Sequence, residues 1–523
     1  MAKSMNNKDD VCDYMEAHTV TFNFRGQPQR FLPRSALEYA TRKDVVQKIV
    51  AQDKETILNN REQAELVDRI VRAGRKLFAI CVHCGVTMQH LKVMLDNGIT
   101  DKRLPLSKDD FGSLKEKRFF VANFIANQKQ YNTISLSVDS IQRLDDLQSD
   151  RFTIPIEYEE IEANYKGKGA FGTVWKVRIH RDHRSFICET KDGDLFAMKV
   201  TPHEGREQDY HRQMAGLNHP HLVKCLASFT LGAKYQMIYE LASCDLEEFM
   251  RERSKPSKHP ELTEAWLAQQ LAGVASALKV VHNPQGMLNV PNANTLRTGY
   301  IHDIKPENIL VFIYKGKVCV LRLSDFSCAK VVEIVATISG KRDSYKTGSK
   351  PGTPTYRAPE ISENVSSRPY DMWSLGCVFL ELLVWYLEGY KALEMFRESR
   401  EGSVIPNGMI DEGFYHKTSN GEMQLRESVL RKIENLKRQC RGDLKDIVDV
   451  VPSLLKIKPK ERMDASHLAA RLSRFSTATG SNTTTNFAGS LTVPSIGSTS
   501  LPTYDSDSDP NEFIKITRPS NEQ

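Results

Sequence analysis

Apolar positions in residues 1–150 recur at the three- and four-residue spacing of amphipathic helices. Ser35 and Glu38 have the spacing of a capping box ahead of the first apolar stripe. The stripes consist of Val45, Val46, Ile49 and Val50, then of Leu66, Ile70, Leu77 and Phe78, and then of Phe119, Phe120, Phe124 and Ile125. Such stripes are more often buried core than interaction surface. We therefore predict that residues 1–150 form an all-helical accessory domain or a helical brace on the neighbouring domain.

The pattern changes at about residue 153 to short runs in which apolar and polar residues alternate, as they do in β-strands. Helical spacing returns over 262–282, with Thr263 near the start, and an almost wholly apolar helix is predicted over 377–387. After about residue 473 the chain is rich in Ser, Thr, Asn, Gly and Pro, so residues 474–523 are predicted to be a disordered tail. The predicted strands cover residues 152–158, 161–165, 173–179, 195–200, 221–229, 235–239 and 318–323.

Composition and charge narrow the class of protein. The 523 residues are 40% apolar and 26% charged, as in soluble globular proteins, and they exceed one ordinary domain. A net charge of +6 over this length is too small to indicate a nucleic-acid partner. The N-terminus has no apolar signal core, and no apolar run has the length of a membrane span. We therefore expect no membrane association and an intracellular location, in the cytoplasm or the nucleus.

Cysteine usage agrees with a reducing compartment. The ten cysteines are spread along the chain without the spacing of a disulfide framework. Cys81 and Cys84 form a lone CxxC inside a helical stretch, and no second ligand pair lies at zinc-site spacing. We therefore expect buried free thiols at these two positions and no metal or redox site.

A glycine-rich stretch over 167–172 is the first candidate for ligand chemistry. Its three glycines, Gly167, Gly169 and Gly172, let the backbone approach phosphate groups without a side-chain clash. Dinucleotide-binding folds share this spacing, but they place a helix directly after the glycines. Here the next residues alternate like a strand, which favours a glycine-rich hairpin and argues against a dinucleotide-dependent oxidoreductase. Lys199 then lies among apolar residues of the next predicted strand, where an edge-strand charge is the alternative interpretation.

Residues 300–310 carry the second candidate site. Asp303, Lys305 and Asn308 are spaced so that one short loop presents a carboxylate, an amine and an amide. Phosphoryl transfer uses such groups to orient a hydroxyl and accept its proton, to neutralise phosphate charge and to hold a divalent metal. Asp325 lies downstream, directly after a predicted apolar strand.

Taken in order, these motifs resemble those of eukaryotic protein kinases. The lysine two residues after Asp303 resembles the serine/threonine class rather than the tyrosine class. The resemblance covers about 153–473 and implies an α+β, bilobal fold, with a small strand-rich lobe and a larger helical lobe. The long N-terminal region further resembles that of kinases from filamentous fungi. The motifs are the glycines over 167–172, Lys199, Asp303-Ile-Lys-Pro-Glu-Asn308, Asp325-Phe-Ser327, Gly352-Thr-Pro-Thr-Tyr-Arg-Ala-Pro-Glu360 and Asp371-Met-Trp-Ser-Leu-Gly376.

The resemblance implies a role for each matching residue. Asp303, Lys305 and Lys199 would be catalytic, and Asn308 and Asp325 would hold Mg²⁺. Asp371 would brace the catalytic loop, and Arg462 would pair with Glu360. Asp245 has a second interpretation as a helix N-cap, and the two roles are compatible. The residues implied in ATP binding are Gly167, Gly169, Gly172, Val174, Ala197, Lys199, Glu207, Glu240, Ala242 and Asp245.

Three departures from the family pattern leave an alternative open. Tyr210 occupies the position of the helix glutamate that would pair with the strand lysine, with Glu207 favoured over Asp209 as its replacement. His302 stands where the family has a phosphate-binding arginine, and its charge is only partial near neutral pH. Ser327 replaces a glycine. The alternative is therefore a pseudokinase that acts as a scaffold or as an ATP-binding switch.

Regulation and partners are open at this stage. In the polar segment around residue 345, the hydroxyl residues Ser344, Thr347 and Ser349 are either plain loop residues or phosphorylation sites. Protein substrates follow from the resemblance, and residues 1–150 offer a surface for a further protein partner.

Overall fold

The computed structural model places an N-terminal helical region, a strand-rich small lobe and a helical large lobe along the chain. It describes residues 5–53, 56, 58–137, 141–144, 152–169, 172–187, 194–202, 217–283, 296–314, 319–325, 330–334, 345–346, 354–363, 365–366, 368–402 and 412–476.

The N-terminal region is mainly helical, as predicted, and it also contains one β-hairpin. Leu66, Ile70, Leu77 and Phe78 are all at most 2% exposed, which confirms that the second apolar stripe is core. In chain order the elements are α1 (Lys8–His18), β1 (Val20–Phe24), β2 (Gln27–Phe31), α2 (Arg34–Ala40), α3 (Lys43–Gln52), α4 (Asn60–Ala73), α5 (Arg75–His83), α6 (Met88–Asp96) and α7 (Arg118–Asn127).

Two details predicted for this region are wrong. Ser35 does not cap a helix: it lies inside α2, and its hydroxyl donates to Asp182 in a different part of the chain. Capping boxes form instead at Asn59 and Glu62, at the start of α4, and at Ser107 and Asp110, at the start of a 3₁₀ helix. Phe119 is 87% exposed, because α7 directs its neighbour Phe120 into the core instead. Sequence spacing alone cannot say which of two adjacent phenylalanines faces inward.

The small lobe is built on a sheet with the order β3-β8-β9-β7-β6-β4, and β5 pairs with β6. The predicted strand over 161–165 is wrong, because Glu162–Asn164 forms a 3₁₀ turn and the strand begins at Tyr165. Of the predicted strand over 152–158 only Ile156–Glu157 is a strand, and the other predicted strands are present with shifted ends. The strands are β3 (Ile141–Leu144), β4 (Ile156–Glu157), β5 (Tyr165–Gly169), β6 (Gly172–Ile179), β7 (Leu195–Pro202), β8 (Cys225–Leu231) and β9 (Lys234–Glu240).

The N-terminal region is joined to this sheet through its backbone. Strand β3 pairs in parallel with β8. Two isolated β-bridges join Phe24 to Tyr158 and Leu136 to Arg184. Phe24 and Leu136 also belong to the same buried apolar cluster as the small-lobe strands. The brace interpretation therefore has direct contacts behind it, while the boundary at residue 150 stays a prediction.

The large lobe is organised around two long buried helices. Thr263 caps α9 by accepting from the Trp266 N–H, as the sequence predicts. By length and composition one described helix, α10, could cross a membrane, and 89% of its apolar window is buried inside the protein. The helices are α8 (Leu246–Glu252), α9 (Glu264–His282), α10 (Arg368–Glu388), α11 (Tyr390–Glu398), α12 (Glu427–Gln439), α13 (Gly442–Leu454) and α14 (Ala465–Ser476).

The large lobe also contains short paired strands, some of which flank the predicted site residues. Strands β12 and β13 lie between Asn308 and Asp325 and pair as an antiparallel hairpin, and β11, which precedes the catalytic loop, pairs antiparallel with β14. The remaining strands are β10 (Cys244–Asp245), β11 (Leu296–Tyr300), β12 (Ile309–Phe312), β13 (Val320–Leu323), β14 (Lys330–Ile334), β15 (Tyr345–Lys346), β16 (Val365–Ser366), β17 (Tyr415–Lys417) and β18 (Met423–Leu425).

Candidate active site

The register of the small-lobe sheet brings Val174, Ala197 and Lys199 to one face. Val174 lies directly opposite Lys199 in the antiparallel β6–β7 pair, and Ala197 is two residues before Lys199 on the same strand. Directly opposite residues and residues two apart share a face of a sheet. The three residues that the resemblance assigns to ATP binding in these strands therefore line a common surface.

The glycine-rich stretch forms the predicted hairpin. Strand β5 ends at Gly169, β6 begins at Gly172, and the two glycines pair with each other. A Cβ atom at Gly172 would collide with the backbone oxygen of Val200 on β7. Only glycine lets the hairpin lie this close to the lysine-bearing strand.

Lys199 contacts Asp325 directly across the cleft. Its Nζ atom lies 2.7 Å from Asp325 Oδ1, and the lysine side chain is 9% exposed. Asp325 adopts a positive φ of 52°, a conformation that aspartate tolerates better than most residues. Burial of an ion pair is costly unless both partners are well satisfied. Strand β7 lies between β9 and β6 in the sheet, so Lys199 is not on an edge strand, and the functional role of the pair stays a prediction.

The catalytic-loop triad is held together by its own side chains. Asn308 Nδ2 donates to the backbone oxygen of Asp303 at 2.8 Å and to its Oδ2 at 3.0 Å. Lys305 Nζ lies 3.4 Å from the same Oδ2 atom. Asp303 is thus oriented by an amide and an ammonium group from its own loop, and the sequence prediction that these three residues act as a unit fits this geometry.

Asp371 holds the backbone of the catalytic loop in place through hydrogen bonds. Its two carboxylate oxygens accept from the N–H groups of Ile301 and His302, both at 2.8 Å, and from His282 Nε2 at 2.9 Å. All of these groups are buried. His302 has a positive φ of 71°, and its ring packs edge-on against Tyr300. A carboxylate with three donors is a strong local restraint, so the loop conformation is set before any ligand arrives.

The two residues that would hold magnesium are connected through Ser324. The Ser324 N–H and hydroxyl both donate to the Asn308 backbone oxygen, at 2.9 Å and 2.8 Å, which brings Asp325 beside Asn308. Because Asn308 uses its Nδ2 on Asp303, its side-chain oxygen is the group left to face a cation. One carboxylate and one amide oxygen fit the hard oxygen ligands that Mg²⁺ takes.

The segment between the lobes shows an arrangement that the sequence did not predict. Glu240 ends β9, and its Oε2 atom accepts from Arg322 Nη1 at 2.6 Å. Arg322 also donates through Nε to the backbone oxygen of Pro220 at 3.0 Å and through Nη2 to the Tyr314 hydroxyl at 2.5 Å. Arg322 thus ties the strand before Asp325 to the segment that the resemblance assigns to adenine.

Asp245 caps a helix, as one of its two interpretations required. Its Oδ1 atom accepts from the Glu248 N–H at 2.9 Å at the start of α8. Ala242 lies between Glu240 and this cap, on the path from the small lobe to the large lobe. Contact of Asp245 with a ribose and of Ala242 with adenine stays a prediction.

The turn after the activation segment is anchored in the large lobe. Arg462 makes two hydrogen bonds to Glu360, of 2.6 Å and 2.7 Å, and both side chains are at most 5% exposed. This is the pairing that the resemblance predicted. Such a bidentate, buried pair positions the segment rather than taking part in the chemistry.

Several predicted residues fall outside the described part of the chain. Glu207, Asp209 and Tyr210 lie there, so the replacement for the helix glutamate is not decided. The same holds for Ser327 and for the three candidate phosphorylation sites, Ser344, Thr347 and Ser349.

Cys81 is a buried free thiol, as predicted, whereas Cys84 is a free thiol that is only partly buried. Burial raises the pKa of Cys81 and raises that of Cys84 to about 12, so both thiols keep their protons at neutral pH. Within the described ranges, no group of three or more His, Cys, Asp or Glu side chains is placed to hold a metal ion.

Comparisons with known proteins agree with the geometry. Residues 162–471, more than half of the chain, match the protein kinase domain family, so the chain belongs to the protein kinase family. The serine/threonine-protein kinase nekl-2 of Caenorhabditis elegans is 25% identical over 319 residues, which is 60% of this chain and 72% of that protein. Serine/threonine-protein kinase 36 of Pongo abelii is 29% identical over 230 residues, 42% of this chain and 14% of that protein. Cyclin-dependent kinase 4 of Mus musculus is 28% identical over 228 residues, 41% of this chain and 64% of that protein. These relatives place the chain among the serine/threonine kinases.

Proposed function

We propose that this protein transfers the γ-phosphate of ATP to serine or threonine hydroxyls of other proteins. The observation that carries the proposal is the linked set of Asp303, Lys305 and Asn308, with Asp325 beside it and Lys199 in contact with Asp325. All five side chains are present, and these contacts support the proposal by linking them into one set.

Each residue of this set has one physical task. Asp303 orients the substrate hydroxyl and accepts its proton, and Lys305 offsets negative charge on the group in transfer. Lys199 and the backbone of the glycine-rich hairpin hold the ATP phosphates. Asn308 and Asp325 hold Mg²⁺, which would neutralise phosphate charge when bound. Positioning and fixed charge, rather than covalent chemistry, supply the acceleration.

The pseudokinase scaffold is the second candidate. The observations that favour it are His302 in place of an arginine, the absence of a glutamate at position 210 and Ser327 in place of a glycine. The site residues argue against it, because the proton acceptor Asp303, the phosphate-facing Lys305 and the oxygen donors Asn308 and Asp325 are all present. We therefore place catalysis first.

Residues 1–150 act, in this proposal, as a brace for the small lobe. Support comes from the parallel β3–β8 pairing and from the two hydrogen bonds that Ser35 gives to Asp182 on the small lobe. A protein partner on the outer helices of this region, and a location in the cytoplasm or nucleus, remain further parts of the proposal.

Phosphate transfer from labelled ATP tests the function. Wild type, Asp303→Asn and Lys199→Met are assayed with magnesium on a generic basic protein and for self-phosphorylation. Signal in wild type that vanishes in both variants supports the proposal. Equal signal in all three identifies a contaminating kinase. ATP binding without transfer in wild type supports the scaffold instead.

A further inference from the structure

Helix α11 comes directly after the long buried helix α10, in a stretch that the sequence motifs leave without a role. Its residue Arg397 contacts two carboxylates at once. Both of its terminal nitrogens donate to Glu247 on α8, at 2.8 Å and 2.7 Å, and Nη2 also donates to Glu381 on α10 at 2.8 Å. Three helices therefore meet at one guanidinium group.

Glu381 is the centre of this cluster. It is fully buried, and besides Arg397 it accepts from Arg400 Nη2 at 2.7 Å. Burial by itself would raise its pKa, but the charges of Arg400 and Arg397 together hold the pKa of Glu381 below its ordinary value. The carboxylate therefore stays ionised inside the lobe.

Arg400 is held by packing as well as by charge. Its side chain is 0% exposed, and its guanidinium lies 4.6 Å from the Phe396 ring centre and 4.0 Å from that of Phe414. Such contacts favour a cation in a desolvated place. The second arginine is thus a fixed part of the cluster rather than a mobile surface side chain.

The third partner of Glu381 connects the cluster to the active site. The Tyr356 hydroxyl donates to Glu381 Oε2 at 3.0 Å, and the Tyr356 backbone oxygen accepts from Ser374 at 2.8 Å. Tyr356 belongs to the turn Pro354–Tyr356, which lies in the segment that resembles the substrate-docking turn of protein kinases. The position of this turn is therefore set by a carboxylate that two arginines hold.

The loop beside the turn lacks the usual means of fixing it through a phosphate. His302 stands where the family has arginine, it is 1% exposed, and its ring packs against Tyr300 and Tyr370. A buried imidazole in an aromatic setting is a poor partner for a doubly charged phosphate. The internal arginines of α11 and of the residues after it offer a constitutive alternative.

We propose that α11 is an internal strap, in which Arg397 and Arg400 act through Glu381 to position Tyr356 and the substrate-docking turn without a phosphate on the activation segment. Arg397 is a positioning residue in this scheme, since it contacts neither substrate nor nucleotide. The inference rests on the proposed kinase function, because it assigns the strap to the binding of the protein substrate.

The first test compares steady-state kinetics of five full-length, phosphatase-treated proteins. They are wild type, Arg397→Met, Arg397→Lys and Tyr356→Phe, and Arg431→Met serves as a matched control, because Arg431 makes only an exposed pair with Glu427 on α12. We expect Arg397→Met and Tyr356→Phe to lower kcat/KM for the protein substrate by about tenfold to a hundredfold, as loss of charged hydrogen bonds would. The KM for ATP should change less than twofold. Arg397→Lys should recover part of the loss, and Arg431→Met should equal wild type.

A double variant separates positioning from general destabilisation. If Arg397 and Tyr356 act through the same carboxylate, Arg397→Met combined with Tyr356→Phe should lose little more than the worse single variant. Two losses that multiply would overturn the strap, as would variants that melt earlier but keep the kinetics of wild type. Loss of wild-type activity on phosphatase treatment would overturn the phosphate-independent part.

Hydrogen exchange gives a readout that does not require activity. Amides of residues 354–361 are followed in wild type and in Arg397→Met, and the strap predicts faster exchange in the variant but not in Arg431→Met. Unchanged exchange would contradict the strap. If wild type is inactive but exchange at residues 354–361 is still faster in Arg397→Met, the kinase function is rejected. The positioning role of Arg397 would still be supported.

Discussion

Lys199 Nζ and Asp325 Oδ1 lie 2.7 Å apart, so the small lobe and the large lobe are joined by an ion pair inside the cleft. The lysine is on a central strand of the small-lobe sheet, and the aspartate comes after the last strand of a large-lobe hairpin. Since both residues are also proposed to serve ATP and magnesium, the same two charges link lobe position to ligand binding.

Asp325→Asn should separate the metal role from the remaining machinery. The substitution keeps the shape of the side chain but removes the charge that faces Lys199 and the cation. We expect transfer to fall by about a hundredfold or more and to need higher magnesium, in line with loss of a group that acts at the developing charge. A magnesium titration of the rate measures both effects.

Asp449→Asn is the matched control, since Asp449 makes an exposed pair with Lys445 on α13. It should leave the magnesium dependence as in wild type. An Asp325→Asn protein with an unaltered magnesium curve would contradict the assignment of Asp325 as a ligand.

Arg462→Met should cost about 3–5 kcal/mol of unfolding free energy, because it leaves the buried Glu360 carboxylate without its partner. Denaturant unfolding measures this difference. Lys458→Met, which breaks the exposed pair with Glu461, should change stability by less than about 1 kcal/mol. Equal effects of the two substitutions would show that burial does not govern the Arg462 pair.

Phe31→Ala should loosen the small lobe although Phe31 belongs to the N-terminal region. Phe31 is 1% exposed, and its ring lies 5.3 Å from that of His180 and 5.1 Å from that of His183, which come after β6. Truncation of a buried phenylalanine costs about 3–5 kcal/mol. If residues 1–150 brace the small lobe, hydrogen exchange of β4 and β6 should accelerate.

Phe119→Ala supplies the comparison for the brace, because its side chain is 87% exposed. It should leave exchange in β4 and β6 unchanged. Acceleration restricted to the N-terminal helices in Phe31→Ala would mean that the two regions unfold independently.

The sequence predicted the contacts between residues that lie close together along the chain. Asp303, Lys305 and Asn308 lie within six consecutive positions, and the hydrogen bonds among them follow from that closeness. The glycine-rich hairpin likewise follows from strand alternation on both sides of the glycines. Pairs such as Arg462 with Glu360 were reached only through the resemblance.

The contacts that the sequence did not predict join residues that lie far apart along the chain and share no periodic pattern. Arg322 and Glu240 are 82 positions apart, and Arg397 and Glu247 are 150 apart. Each of these side chains is an ordinary charged residue on an amphipathic stretch, so nothing in the local pattern distinguishes it from a solvated one. The β1–β2 hairpin was missed for a related reason, because each strand has only five residues and buries only its last one, Phe24 or Phe31.

The seam between the N-terminal region and the small lobe should make stability depend on acid pH through His183. This ring is 5% exposed, and neither of its nitrogens has a hydrogen-bond partner among the described residues. Burial lowers the pKa of His183 to about 4, nearby Arg34, His180 and Lys76 act in the same direction, and Asp182 opposes them. The fold therefore holds the neutral ring.

The sign of the effect depends on the two pKa values. The unfolded chain binds a proton at about pH 6.5 and the folded chain only near pH 4, so stability is complete above pH 6.5 and is lost as the pH falls between these values. A shift of this size corresponds to roughly 3 kcal/mol once the lower pKa is passed, and to about 2 kcal/mol at pH 5. His219 and His221, whose pKa values are also lowered to about 4 by burial, add to the same slope.

His183→Leu removes one titrating group from a site that already excludes water. Between pH 7.5 and pH 5 the variant should lose about 2 kcal/mol less unfolding free energy than wild type, measured by denaturant titration at each pH. Parallel curves for wild type and His183→Leu would show that protonation of His183 does not destabilise the fold. Any acid sensitivity would then belong to His219 and His221.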